Sequence, residues 1–254
     1  MPKSNIPVLK EPKPKKNTSK KVAALLVALF AVLLGVLFFR SSISKITDIE
    51  FRGSSYSTNE ELLKESGLKV GMSFFGTSAG TIRKRLAGVQ AIESVTVDKR
   101  FPGVVEITVH EYPSVAYELA SDGKLMAYLS NGSKVLVKNG ISLEKPMLSG
   151  WDKDQVNLLK LCSTLAKMSA ELTSDISEIL PSPTLSFPDR IRLYTRSGFE
   201  VITTISLLPK KTEYLNGIIE TQEPGLITML EADTYVPFAG ASSAEEGENS
   251  TTHE

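Results

Sequence analysis

With 254 residues, 41% of them apolar and 23% charged, the chain can bury one or two packed cores, which excludes disorder throughout. Its formal net charge of zero averages a basic start (Lys3, Lys10, Lys13, Lys15, Lys16, Lys20, Lys21) and an acidic end (Glu245, Glu246, Glu248, Glu254). Cys162 is the single cysteine, so an internal disulfide and a cysteine-based metal site are both excluded.

Residues 1–21 are rich in Pro and Lys and have no hydrophobic period, which predicts a solvated, extended tail near anionic lipid headgroups. No nucleic-acid partner is expected, because a short lysine tract beside an apolar run is more simply a topology signal. That run, Val22 to Phe39, reads VAALLVALFAVLLGVLFF. As a helix of about 18 residues it spans about 27 Å, close to a bilayer core. A cleaved signal sequence would have a shorter apolar region ending in small residues, whereas this one ends in Phe38-Phe39-Arg40. A buried core helix needs a polar face, and the run has none. Lysines crowd its N-terminal side, so the tail is expected in the cytoplasm and everything after about Arg40 outside.

From about Ser44 to Pro113 the pattern predicts a strand, two helices and two strands. Lys45 to Arg52 reads as a strand ended by Gly53. Thr58 with Glu61 three residues later forms a capping box before Leu62 and Leu63. A second helix from about Thr77 to Leu86 carries Ile82 and Leu86 four residues apart. Ile92, Val95 and Val97 lead to a turn at Phe101-Pro102-Gly103, and Val105, Ile107 and Val109 alternate with Glu106, Thr108 and His110 on the return. Pro102 fixes φ in the turn, and Pro113 removes an N–H and ends the last strand.

This order after an apolar anchor, closing on Arg100, Phe101, Pro102, Gly103, Glu111, Pro113 and Ala116, resembles a POTRA domain. The whole chain is similar to the FtsQ/DivIB family of bacterial division proteins, with the single cysteine and acidic tail nearer the Gram-positive DivIB type. The resemblance implies an α+β fold: one transmembrane helix (22–39), a POTRA domain (44–113), a second, β-rich domain (114–238) and a disordered acidic tail (239–254). It further implies a non-enzymatic scaffold of the cell membrane at the division septum. Its implied partners are the small membrane proteins FtsL and DivIC/FtsB, and with them the septal wall synthases. Another POTRA-bearing envelope protein or a wall enzyme is the alternative; self-association stays open.

In residues 114–238, Val115 to Leu119, Leu125 to Leu129 and Val135 to Val137 read as strands joined by turns at Asp122-Gly123 and Asn131-Gly132. Asp154 to Met168 has Val156, Leu159, Leu165 and Met168 at helical spacing, with Cys162 as a core filler. Leu172, Ile176 and Ile179 follow without a clear period. Ile191 to Thr195 and Glu200 to Ile205 flank a turn at Ser197-Gly198, and Pro209 opens a helix carrying Leu215, Ile218 and Ile219. Leu226-Ile227-Thr228-Met229-Leu230 is expected as the closing strand. It lies either on the sheet border, where free N–H and C=O groups receive a partner, or fully paired inside. The resemblance points to this end of the domain as the partner-binding surface, with Tyr235 and an acidic residue, Glu231 or Asp233, beside it.

Catalytic patterns occur but lack their companions. Gly76-Thr77-Ser78-Ala79-Gly80 fits G-x-S-x-G, yet the histidines are only His110 and His253, so a helix cap is the better reading of Ser78. S-x-x-K appears at Ser42/Lys45, Ser121/Lys124 and Ser142/Lys145 without S-D-N or K-T-G. Two distant histidines do not make a zinc site, and no cofactor is expected.

Overall fold

The structure, a computed structural model, describes residues 18–137, 144–151 and 155–238. The expected disordered tail at 239–254, His253, Ser142 and most of the basic tail lie outside these residues. Helix α1, Thr18–Arg40, presents Leu, Val, Ala and Phe on every side. Its Lys20–Arg40 stretch is long and apolar enough to cross a membrane, and no residue of its apolar window is buried inside the protein. A helix that is apolar on every side and this long matches the composition of a membrane-crossing segment.

A turn of 3-10 helix, Ser42–Ser44, leads into the first sheet. There β1 (Asp48–Arg52), α2 (Asn59–Ser66), α3 (Ala79–Leu86), β2 (Ile92–Arg100) and β3 (Val104–Glu111) follow in order. β3 is central, parallel to β1 and antiparallel to β2. The strand expected from Lys45 is shorter: Lys45 makes only an isolated bridge to Ser73 and pairing starts at Asp48. Thr58 and Glu61 form the capping box that their spacing predicts. Val105, Ile107 and Val109 are buried against Leu62, Ile82 and Leu86 of the two helices, as the alternation requires.

Only Tyr112 and Pro113 separate β3 from β4 (Ser114–Leu119). The junction is tied on both sides: Tyr112 N–H donates to Ala91 O at 2.9 Å, and Pro113 O accepts from Ser130 N–H at 2.9 Å. Asn131 Nδ2 also donates to Gln90 O at 3.0 Å. The second sheet continues with β5 (Leu125–Leu129), β6 (Lys134–Leu136) and β7 (Met147–Leu148), then α4 (Gln155–Leu165), α5 (Ala170–Asp175) and β8 (Ile176–Pro181). β9 (Arg190–Thr195), β10 (Glu200–Thr204), α6 (Thr212–Thr221), β11 (Gly225–Met229) and β12 (Asp233–Pro237) complete it. The strand order is β12-β11-β10-β9-β8-β7-β4-β5-β6.

Two expectations are corrected here. The α4 core face is Leu158, Leu161, Cys162 and Leu165, while Val156 and Leu159 are exposed. Both sets have helical spacing, so the period alone could not select the inward one. The segment Leu226 to Met229 is not the border of the sheet. It lies between β10, to which it runs parallel, and β12, an antiparallel partner that closes the sheet.

Candidate functional site

The hairpin residues each hold a different part of the first module. Across its sheet Glu50, Glu106 and Asp98 stand in register, three carboxylates side by side. Like charges directly opposite destabilise a sheet. Arg100 and Arg52 relieve this: each places a guanidinium nitrogen 2.6 Å from a different oxygen of Glu106, whose side chain is only 7% exposed. Arg52 also reaches Glu50 at 2.8 Å, and the Glu50 hydrogen bond, followed by the Glu106 charge, pushes its pKa up. Phe101 is exposed beside Phe74 and Phe75. The Phe101–Pro102 peptide is cis, and Gly103 has φ 76°. Gly103 O accepts from Thr47 N–H at 2.8 Å. A Cβ on Gly103 would lie 2.6 Å from Lys45 O, so only glycine fits the turn this closely to the chain leaving α1.

Glu111 organises the loop between β1 and α2. Its carboxylate accepts from Ser55 N–H at 2.7 Å, Tyr56 N–H at 3.2 Å, Ser57 N–H at 3.3 Å and Ser54 Oγ–H at 3.0 Å. Hydrogen bonds to a charged acceptor are each stronger than neutral ones. Glu111→Ala is expected to cost about 2 kcal/mol, with Glu111→Gln losing less because one oxygen remains. Thermal unfolding of the two variants checks the order.

The expected partner segment sits at the other end of the second sheet. Ile227 and Met229 are buried in its core, Leu226 and Thr228 are half-buried on the opposite face, and Leu230 lies beyond the strand. Because the strand is paired on both sides, a proline at Thr228 would break the sheet itself; it is not the mild edge substitution that a border strand would allow. The free border is β12. Phe238 N–H donates to Pro224 O at 3.1 Å, and Val236 O approaches Gly225, so even-numbered residues of β12 turn their backbone groups toward β11. By the alternation of an antiparallel ladder, Tyr235 turns its N–H and C=O outward, and Pro237 places its missing donor on the same outer row. No described strand pairs there.

Tyr235 is half-buried against the core, and its hydroxyl donates to Glu223 O at 2.6 Å. On the opposite face Val236 is 57% and Phe238 50% exposed. Lys211 ties the β11–β12 turn to α6, donating to Leu230 O at 2.7 Å and Asp233 Oδ1 at 2.5 Å. Sequence reasoning missed Val236, Phe238 and Gly225. The signal was Thr234-Tyr235-Val236 followed by Pro237, an alternating run closed by the residue that edge strands tolerate.

The catalytic patterns take structural places. Ser78 accepts from Gly80 N–H at 3.2 Å as the N-cap of α3. His110 is exposed on β3, and Lys124, in the β4–β5 turn, pairs with Asp122 at 2.8 Å. Among the described residues no group of three or more His, Cys, Asp or Glu side chains could hold a metal ion.

An apolar helix fit to cross a membrane, joined to a three-stranded module and a nine-stranded α+β domain, defines a POTRA-bearing membrane protein: residues 44–112 match the family model described as "POTRA domain, FtsQ-type". Over its whole length the chain is 54% identical to the cell division protein DivIB of Paenibacillus polymyxa, covering 99% of this chain and 100% of that one. DivIB of Brevibacillus brevis is 31% identical, covering 96% and 94%. The structure of the major extracytoplasmic domain of the trans isomer of DivIB from Geobacillus stearothermophilus is 28% identical, covers 43% of this chain and 92% of that one, and has a TM-score of 0.37. The chain belongs to the DivIB family of cell division proteins, and it is a division-related membrane protein.

Proposed function

We propose that the chain is a non-catalytic, single-span scaffold of the division machinery, with residues 1–21 in the cytoplasm and both folded domains outside, placed at the septum. Through the outer edge of β12 it binds the external parts of FtsL and DivIC/FtsB-type proteins. By holding them it helps regulate septal peptidoglycan synthesis, with the wall synthases reached through these partners. The observation that carries this reading is the unpaired outer row of β12. Tyr235 offers a free N–H and C=O there, and exposed Val236 and Phe238 flank them. A strand from a partner gains main-chain hydrogen bonds from the first and apolar burial from the second. Pro237 limits how far such a strand can extend, which also protects the edge against indiscriminate pairing.

The test is binding of the full chain in detergent to FtsL and DivIC, read against Val236→Glu. A charge on the exposed side of an edge strand leaves its own fold intact and opposes an apolar partner. The expected result is roughly tenfold weaker binding, about 1.4 kcal/mol, with an unchanged circular dichroism spectrum. Undiminished binding by the folded variant would move the interface elsewhere. Appearance of self-association in place of partner binding would assign the edge to a second copy.

A further inference from the structure

The aromatic residues at the base of the first module are explained neither by its core nor by the β12 edge. Phe38 and Phe39 are the last apolar residues of α1, and Phe75, in the loop before α3, packs on both, with ring centroids 5.9 Å and 6.0 Å away. Phe101 at the hairpin tip is 6.0 Å from Phe75. Phe74 is buried in the core, yet Phe75 is 51% and Phe101 55% exposed. Ile43, in the turn that leaves α1, and Met72, whose carbonyl accepts from Ile46 N–H, are exposed apolar residues too.

Hydrogen bonds from side chains and backbone hold this arrangement where the chain leaves α1. Ser44 Oγ donates to Phe39 O at 2.8 Å and Ser41 O at 2.9 Å, inside the turn that leaves α1. Phe74 N–H then donates to Ser44 O, and Ile46 N–H to Met72 O, both at 2.8 Å. Lys99 clamps the loop from the hairpin side: its ammonium donates to Phe74 O, and to Thr77 O at 2.7 Å, and lies 4.4 Å from the Phe74 ring centroid. Rings in contact with the end of a membrane span share its depth, and the headgroup and acyl boundary is where amphipathic and aromatic surface is most stable.

We infer that the POTRA module rests on the outer surface of the bilayer, with Phe75 and Phe101 immersed at the boundary of headgroups and acyl chains. The inference rests on α1 spanning the membrane. Its occupant is lipid, because the patch is continuous with the lipid-facing surface of α1 itself.

Cys162 makes the experiment clean: it is fully buried and its thiol is pushed up to about 12, so it does not react with label. Phe75→Cys and, separately, Phe101→Cys in the full chain are labelled with an environment-sensitive fluorophore and placed in vesicles holding lipid brominated near the headgroup. Leu29→Cys reports on the span, and Leu119→Cys, exposed on β4, is the aqueous reference. Labels at positions 75 and 101 are expected to lose roughly half their emission, as for groups ~5–10 Å into the boundary, while the label at 119 is unaffected. Quenching at 29 with none at 75 and 101 would overturn the inference alone. No quenching at 29, even with bromine deep in the chains, would instead overturn the membrane span. Labels at 75 and 101 that are shielded from bromine at the working protein density and quenched only when protein is greatly diluted in lipid would assign the patch to a second copy, and the inference would fall.

Discussion

Ile107→Asp is expected to unfold the first module outright. Ile107 is fully buried on the central strand, in register with Phe51 of β1 on one side and Val97 of β2 on the other. The aspartate would lie in an apolar cluster with Leu62, Ile82 and Leu86. A carboxylate there must stay unpaired or bind a proton, and the apolar contacts of isoleucine are lost as well. The expected cost is about 5 kcal/mol or more, comparable with the whole stability of a small domain. Ile107→Val, which removes one methyl group, should cost about 1 kcal/mol. Limited proteolysis of the full chain separates the outcomes. The Asp variant should be cut within 44–112, while the nine-stranded domain, whose core is built from its own strands and helices, resists. An uncut variant with an unchanged melt would show that the strand does not face the core.

What the sequence disclosed and what it hid follow one physical division. Local chemistry was legible: Thr58 and Glu61 cap α2, Ser78 caps α3, and the glycines at 103, 123, 132 and 198 all take the positive φ that their turns demand. Each such signal is complete within four residues. Alternation also placed Val105, Ile107 and Val109 correctly, because a half-buried strand has only two faces. The helix at 155–165 has more faces to choose among. Val156 and Leu159 satisfy the same period as Leu158, Leu161 and Cys162, and only the sheet beneath decides between them.

Strand order lies on the non-local side of this division. β11 follows β10 in parallel because α6 intervenes, and β12 then folds back as the true border; nothing within Leu226 to Leu230 reports its two neighbours. The clamp on Glu106 likewise draws Arg52 from about fifty positions away in sequence, whereas Arg100 comes from the same hairpin. Hairpin chemistry read as punctuation thus has a second role: Lys99, Arg100, Phe101 and Gly103 bind respectively the aromatic loop, the buried carboxylate, the exposed ring cluster and the strand leaving α1.

The substitution expected to separate edge from core most sharply is Gly225→Ala. Gly225 opens β11 opposite Pro237, and the Tyr235 ring lies across it. A Cβ there would stand 2.5 Å from Val236 O, 2.7 Å from Tyr235 Cε2 and 2.8 Å from Pro237 Cα. Two of these three atoms are main chain, so no rotamer change relieves the clash and β12 itself must move outward. The overpacking cost is about 3 kcal/mol, the upper part of the usual range. It falls on the last strand alone, whereas β11 keeps its pairing with β10. Hydrogen exchange should therefore accelerate at Thr234 and Val236, whose N–H groups face β11, and stay slow at the centre of the sheet. Binding of FtsL and DivIC should be lost with it, since the outer row of β12 can act as a template only while the inner row is held. Gly217→Ala is the matched control: it lies within α6 with open space around it, and alanine there should stabilise the helix by up to ~1 kcal/mol without altering binding. If Gly225→Ala leaves exchange at Val236 slow, β12 has absorbed the methyl group and the proposed docking of the edge through Gly225 is wrong. If exchange accelerates while the partners still bind, the edge is mobile without being the interface.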